Sequence, residues 1–270
     1  MDGQLSEGTV RLAIFLSVFA AMAALELLSP RLERQELAGA LKTKRWLTNL
    51  SLVVLSSIML RLVFPAAAVG VALYAERQGW GLLRWLDIDP IVGGMIAFAA
   101  LDFAVWLEHL ASHKMPLLWR IHRVHHTDTG LDVTSGLRFH PLEIIVSMIW
   151  KAIVVALLGP PVVAVLVFEI VLNATSMFNH ANIRLPLALD RIVRLVLVTP
   201  DMHRVHHSVE REETDSNYGF NLPIWDRLFG TYVAQPRDGH DGMTIGLKET
   251  RGAQTSRIGW LLLLPFRNQK

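Results

Sequence analysis

The sequence predicts an all-α integral membrane helical bundle of about four or five spans, topped by a cytosolic helical cap. Three observations predict it. Of 270 residues, 52% are hydrophobic and 19% charged, with a mean hydropathy of +0.36, against about 25% charged in an ordinary soluble domain. The apolar residues gather into runs on the scale of a hydrocarbon core about 30 Å thick, which takes about 20 residues of helix. Lys and Arg concentrate in alternate loops, the bias that orients membrane helices.

The first run, residues 12–28, is interrupted only by Glu26 and ends at Ser29-Pro30. Asp2 and Glu7 stand where a leader would be basic, and the run exceeds a signal-peptide core, so it reads as a retained span. The second, about 46–74, holds Pro65, expected to kink it, and Arg61, which must snorkel or find a partner. The third covers 91–107. The fourth and fifth, 142–158 and 162–178, flank Gly159-Pro160-Pro161, a breaker that makes them an antiparallel hairpin, short enough to enter a bilayer without quite crossing. Arg31, Arg34, Lys42, Lys44 and Arg45 follow the first span, and Lys114, Arg120, Arg123 and Arg138 follow the third; the other side carries Arg77 and Arg84. The polar segments after the first, third and fifth spans therefore share one face, expected to be cytoplasmic. No repeat is evident. The expectation is a single domain, 1–270, with its core at about 91–232 and a cytosolic tail at 233–270. Within that tail Ile258 to Pro265 is apolar but too short to span, so it lies at the interface or packs the cap.

Several chemistries are excluded. With no cysteine there is no disulfide, cysteinyl nucleophile, cysteine-bound zinc or iron–sulfur cluster. A net charge of +2 with a pI near 9.1 fits loop bias beside a membrane and no nucleic-acid partner. GxSxG, the P-loop, GxGxxG and HExxH are all absent, and Val105 stands where an inverted HxxEH would need histidine.

The histidines carry the strongest signal. Ten of eleven fall between 109 and 207. His109 and His113 form HxxxH; His122, His125 and His126 form HxxHH; His203, His206 and His207 form a second HxxHH; His140 and His180 stand alone. One HxxHH by chance has an expectation of roughly 0.02 per chain. On a helix, positions i, i+3 and i+4 share a face, so each box is expected to aim three imidazoles at one point. Helix parity sends all ten to the same membrane face, so they are expected to form one shared site. His240, in a polar stretch, reads as an ordinary surface or capping residue.

Neutral imidazole is the commonest metal-binding side chain. Two tetrahedral zinc ions use eight ligands, whereas two six-coordinate ions accommodate ten and leave two positions for oxygen, water or a bridge. That count favours two irons; zinc and copper also suit imidazole. The cap is thus expected to hold a histidine-rich dimetal site.

These residues resemble the fatty acid hydroxylase and sterol desaturase superfamily of membrane di-iron enzymes. The three boxes match its pattern, and Asn217-Tyr218-Gly219 followed by the stretch from Trp225 to Tyr232 is similar to the segment after its last box. Arg138-Phe139-His140-Pro141 and Asn179-His180-Ala181-Asn182 resemble its intervening motifs. The likeness covers about 102–232 and leans towards bacterial sterol-desaturase-like and alkylglycerol-monooxygenase-like proteins. No HPGG motif of a fused cytochrome b5 appears. The resemblance implies two Fe ions and O2-dependent attack on an unactivated C–H bond of a lipid, ending in an alcohol or an alkene.

Metal-bound imidazoles need acceptors for their second N–H. Asp102, Asp128, Asp132, Glu143, Asn179 and Asp201 lie near the boxes and are the candidates; Asp201 could instead cap a helix. Arg123 and Arg204 occupy matching box positions and are expected to be solvated or paired with carboxylates; Trp225, Asp226 and Tyr232 are expected to pack the cap. No flavin, haem or iron–sulfur apparatus is visible, so an external donor of ferredoxin or cytochrome type, with its reductase, is expected to dock at the basic cytosolic surface. Two rival readings are a non-redox dimetal zinc hydrolase and a metal transporter; the latter should place ligands at the bilayer midplane rather than at helix ends. The close at Asn268-Gln269-Lys270 carries no retrieval signal, and a bacterial inner membrane is the expected location.

Overall fold

The computed structural model describes residues 7–33, 37–65 and 67–267. Asp2, Arg34 and the closing Asn268-Gln269-Lys270 lie outside them. The described residues form helices and connecting turns, with three isolated bridges and no strand. Five helical stretches are long and apolar enough to cross a membrane, and the protein is a multi-pass membrane protein.

Helix α1 (Glu7–Leu28) opens the bundle. Its one buried residue is Glu26, whose Oε1 accepts the backbone N–H groups of Val133 (2.6 Å) and Asn182 (2.8 Å). The ionisable residue of the first apolar run therefore ties that span to the polar end of the molecule. The second run is two helices, α2 (Gly39–Val63) and α3 (Ala67–Gln78). Pro65 breaks it where a kink was expected, because the ring removes a donor and clashes with the preceding turn. Arg61 stays on the exposed side of α2. Short α4 (Leu82–Trp85) leads to α5 (Pro90–Lys114), capped by Asp89, which accepts from Ile91 and Val92.

Beyond Met115, α6 (Pro116–His126) lies in the cap. A connector then leads to the hairpin α7 (Pro141–Leu158) and α8 (Val162–His180). Gly159 closes α7 in the left-handed region, φ 61°. It sits against Gly81: a Cβ on Gly81 would fall 2.3 Å from the Gly159 Cα. Two backbones in contact thus lock the turn between α3 and α4 onto the hairpin tip, at the end away from the cap. After α8 the chain stays in the cap, with α9 (Leu187–Val193) and α10 (Pro200–His206).

The membrane core is formed where α3, α5, α7 and α8 meet around Leu101, Val105, Met148, Val155, Val165 and Phe168. The chain's last segment folds back on the cap: Leu261 and Leu264 pack on Leu52 and Val124, and Met243 and Ile245 on Leu131. The 258–265 stretch is therefore cap packing.

The cap is pinned to α2 by a buried ion cluster. Arg45 Nε lies 2.6 Å from Asp128 Oδ1 and Nη1 2.9 Å from Asp132 Oδ2, while Asn49 and Ser135 also donate to Asp128. Burial alone would raise the Asp128 carboxyl; Arg45 and Arg138 overcome it and hold it down to about 2. Arg45, counted in the sequence among the loop cations, is a buried clasp, as is Arg138, which reaches Asn49, Thr127 and the Val124 and Thr255 carbonyls.

Candidate metal centre

Two groups of imidazoles lie side by side beneath the cap. The first gathers His109 and His113 from α5, His122 and His126 from α6, and His206 from α10. The second gathers His125 from α6, His180 from α8, and His203 and His207, at the end of α10. Within each group the potential ligand atoms all lie within 4.8 Å of one another, and all nine residues are buried. The groups abut: the His126 and His207 rings stack at 4.7 Å, and those of His203 and His206 at 5.1 Å.

Each HxxHH box is divided between the groups, and the expectation of three imidazoles on one point does not hold. His122 and His126 serve the first group while His125 serves the second; His203 and His207 serve the second while His206 serves the first. The cause is helix geometry. At 3.6 residues per turn, i and i+4 differ by about 40°, whereas i+3 and i+4 are about 100° apart. One helix can therefore feed two centres, and α6 and α10 do so in opposite senses.

Four rings are oriented by acceptors. The Nδ1 atoms of His109, His206 and His180 lie 2.7 Å from the carbonyls of Tyr218, Ser216 and Ser176, and His122 Nδ1 lies 2.5 Å from Glu143 Oε1. A carbonyl only accepts, so Nδ1 of the first three carries the proton and Nε2 presents a bare lone pair. His109 Nε2 then faces His122 Nε2 at 3.1 Å, and His180 Nε2 faces those of His125, His203 and His207 at 3.1, 3.1 and 3.2 Å. One imidazole nitrogen cannot hydrogen-bond three such neighbours, and buried lone pairs facing each other repel. The arrangement fits shared cations: donors at right angles about 2.1 Å from one ion lie about 3.0 Å apart. His206 Nε2 is likewise buried with no hydrogen-bond partner.

Burial also keeps the rings neutral, as ligands must be. It pushes His122 down to about 3, and with the neighbouring imidazoles holds His125, His126, His203, His206 and His207 well below the ordinary histidine range.

His140 lies outside both groups. It caps α7, its Nδ1 accepting from Leu142 N–H at 3.1 Å, with Nε2 3.3 Å from the Leu262 carbonyl. The Pro141 that follows starts a helix, and the preceding histidine is thereby committed to capping. Among the described residues, Glu143 is the one of the six acceptor candidates that bonds a box imidazole. Asp128 and Asp132 are held by Arg45, and Asp102 accepts from Trp225 Nε1 at 2.8 Å. Asn179 donates to the Phe220 carbonyl, and Asp201 pairs with Arg31 and Arg204. His240 is buried 3.6 Å from Asp201 rather than exposed. Arg204 has the expected carboxylate partner, whereas Arg123 donates to the Leu264 and Arg267 carbonyls.

Asp226 emerges as an organiser. Its Oδ1 accepts from Trp106 Nε1, Tyr218 N–H and Thr231 Oγ1, and its Oδ2 from Gly219 N–H. It thereby sets the Tyr218 carbonyl that orients His109. Gly136 allows the connector to touch α8, since a Cβ there would fall 2.4 Å from the Ser176 carbonyl oxygen. A cavity of about 140 Å³ opens from His109 and His122 between α5, α7 and α8.

The fatty acid hydroxylase model matches residues 94–231, from the second turn of α5 to the turn beyond Asp226. The chain belongs to the fatty acid hydroxylase family. It is 31% identical to the ornithine lipid hydroxylase OlsE of Rhizobium tropici, over 70% of this chain and 56% of that one. It is 32% identical to alkylglycerol monooxygenase of Homo sapiens, over 52% of this chain and 30% of that one. With a cholesterol 25-hydroxylase-like protein of Danio rerio the identity is 26%, over 82% and 87%. The chain thus spans about half or less of the first two relatives. No solved structure matches it.

Proposed function

We propose that the protein is a membrane di-iron oxygenase that hydroxylates or desaturates a C–H bond of a lipid. The observation that carries this reading is the pair of abutting imidazole groups, five and four, opening on a cavity among membrane helices. Nine imidazole nitrogens would not fill two six-coordinate ions, so the pair would keep open positions, whereas a structural site would be closed. Two Fe ions held there supply O2 reduction and C–H oxidation, chemistry that no side chain of the chain can perform.

The chain's own residues supply the setting. His109, His113, His122, His126 and His206 hold one ion, and His125, His180, His203 and His207 the other. Glu143 and the Tyr218, Ser216 and Ser176 carbonyls fix ring orientation. Val105, Phe139, Leu172 and Phe220 give the cavity apolar walls for an alkyl chain. A site at the cap end of the spans suits a substrate that stays in the bilayer. Lys and Arg placement supports a cytoplasmic cap, in a bacterial inner membrane, where a ferredoxin or cytochrome delivers two electrons per turnover. Residues 1–270 act as one domain.

The test is purified protein in lipid nanodiscs, supplied with a reductant, O2 and extracted bacterial lipid. Two irons per chain, and a lipid product heavier by one oxygen or lighter by two hydrogens in step with O2 uptake, support the reading. Zinc in both positions with lipid hydrolysis and no O2 uptake overturns it in favour of a dimetal hydrolase.

A further inference from the structure

We propose that Lys151 is a specificity-determining residue that receives a neutral oxygen of the substrate lipid, a hydroxyl or a carbonyl, at the end of the cavity remote from the imidazoles. The inference rests on the oxygenase reading for the identity of that lipid as substrate, but not for its binding.

Lys151 lies in the middle of α7, a helix otherwise almost wholly apolar. An ammonium at that depth is costly and marks a functional position. Its nearest carboxylate oxygen, Glu169 Oε1 on α8, is 3.8 Å away, too far for a hydrogen bond. Glu169 is engaged from the other side by Arg11 of α1 through its Oε2. The ammonium is therefore not consumed by the ion pair, and it lines the cavity that begins at His109 and His122.

The same wall carries Ser147, one turn earlier on α7, donating to Glu108 Oε2 at 3.0 Å. Glu108 also lines the cavity. Arg11 and Lys151 stand against Glu169, Glu108 and, nearer the imidazoles, Glu143, so the formal charge around the cavity carries no positive excess. A carboxylate brought among them would be an uncompensated buried charge, whereas a neutral oxygen accepts from Lys151 without adding to the charge. Glu143, bonded to His122, and Lys151 are eight residues apart on one helix, about 12 Å. The cavity is thus a ruler: an oxygen at Lys151 places a carbon about 12 Å along the chain beside the imidazole groups, which makes Lys151 a determinant of which carbon is presented.

The experiment uses the iron-loaded full chain in nanodiscs and equilibrium binding of three radiolabelled probes: hexadecan-1-ol, hexadecane and hexadecanoate. Wild type should bind hexadecan-1-ol at least about tenfold more tightly than hexadecane, the scale of a hydrogen bond to a charged group. K151M should reduce that preference to less than about twofold with metal content unchanged, and K151R should restore part of it. Arg11 still pairs Glu169 in K151M; should the variant nonetheless fail to fold, the wild-type comparison decides alone. Equal binding of alcohol and alkane by wild type, tighter binding of hexadecanoate than of the alcohol, or an unchanged preference in folded K151M overturns the proposal. Because binding is read without turnover, an alcohol preference in a protein that oxidises no lipid would sink the oxygenase reading and leave the Lys151 assignment standing.

Discussion

The backbone carbonyl of Tyr218 lies 2.7 Å from Nδ1 of His109, 109 residues earlier in the chain. That contact commits His109 to presenting Nε2 to the first imidazole group, and Asp226 holds the carbonyl in place by accepting Gly219 N–H of the same peptide unit at 2.8 Å and Tyr218 N–H at 2.9 Å. The orientation of that imidazole therefore depends on a carboxylate that does not bond to it.

D226N exchanges two acceptor oxygens for one and sets an amide against donors. Loss of such outer partners costs about 10–100-fold in metal affinity. Chelator competition should show iron held at least about tenfold more weakly in D226N, with the spans still inserted. Unchanged affinity would remove Asp226 from the positioning network.

The two kinds of sequence-predicted ligand should separate cleanly. H125A should lose the ion of the second group and all activity while the protein still inserts. H140N should keep both ions, because asparagine also caps helices, at a stability cost of no more than about 1 kcal/mol. Metal analysis of both variants decides; loss of iron in H140N would return His140 to the ligand set.

Much of this was legible in the residues, and what was not has specific causes. The spans were readable because hydropathy is dictated by the bilayer: the hairpin was expected at 142–158 and 162–178 and is found at Pro141–Leu158 and Val162–His180. The boxes were readable because i, i+4 pairs are required by the helix. The division of each box between two centres was hidden, since it depends on where α6 and α10 lie relative to each other. Three of the four ring-orienting acceptors are backbone carbonyls, which have no side-chain signature. Asp128 and Asp132 stand next to a box but answer to Arg45, more than eighty residues away, and proximity in sequence could not reveal that.

Arg45 is the test of that clasp. R45M leaves Asp128 and Asp132 buried beside Asn49 and Ser135 without the cation that bonds them both, and with Arg138 as the remaining nearby charge. Breaking a buried pair from one side costs about 3–5 kcal/mol. Thermal unfolding in detergent should show a marked fall in the cap transition, and R45M/D128N should recover part of it. A melting point equal to wild type would mean that the cap is held by its apolar contacts alone.

The metal-free protein should weaken in acid. Six cap imidazoles, those of His122, His125, His126, His203, His206 and His207, have folded values depressed by burial, whereas in the unfolded chain they titrate near about 6.5. Above that value both states are neutral and the full stability is present. As pH falls through it the unfolded chain takes up protons that the folded cap refuses, and stability is lost by about 1.4 kcal/mol per pH unit for each group. Melting temperature measured from about pH 7.5 down to about pH 5 should fall steadily; a flat profile would show that these rings are not held neutral.

Two ions are expected to sit side by side, one in each imidazole group. Anomalous diffraction at the iron edge, from crystals of the iron-loaded protein, tests this most directly. The expected result is two peaks, one among His109, His113, His122, His126 and His206 and the other among His125, His180, His203 and His207. A single peak, or density lying outside these nine rings, would contradict it.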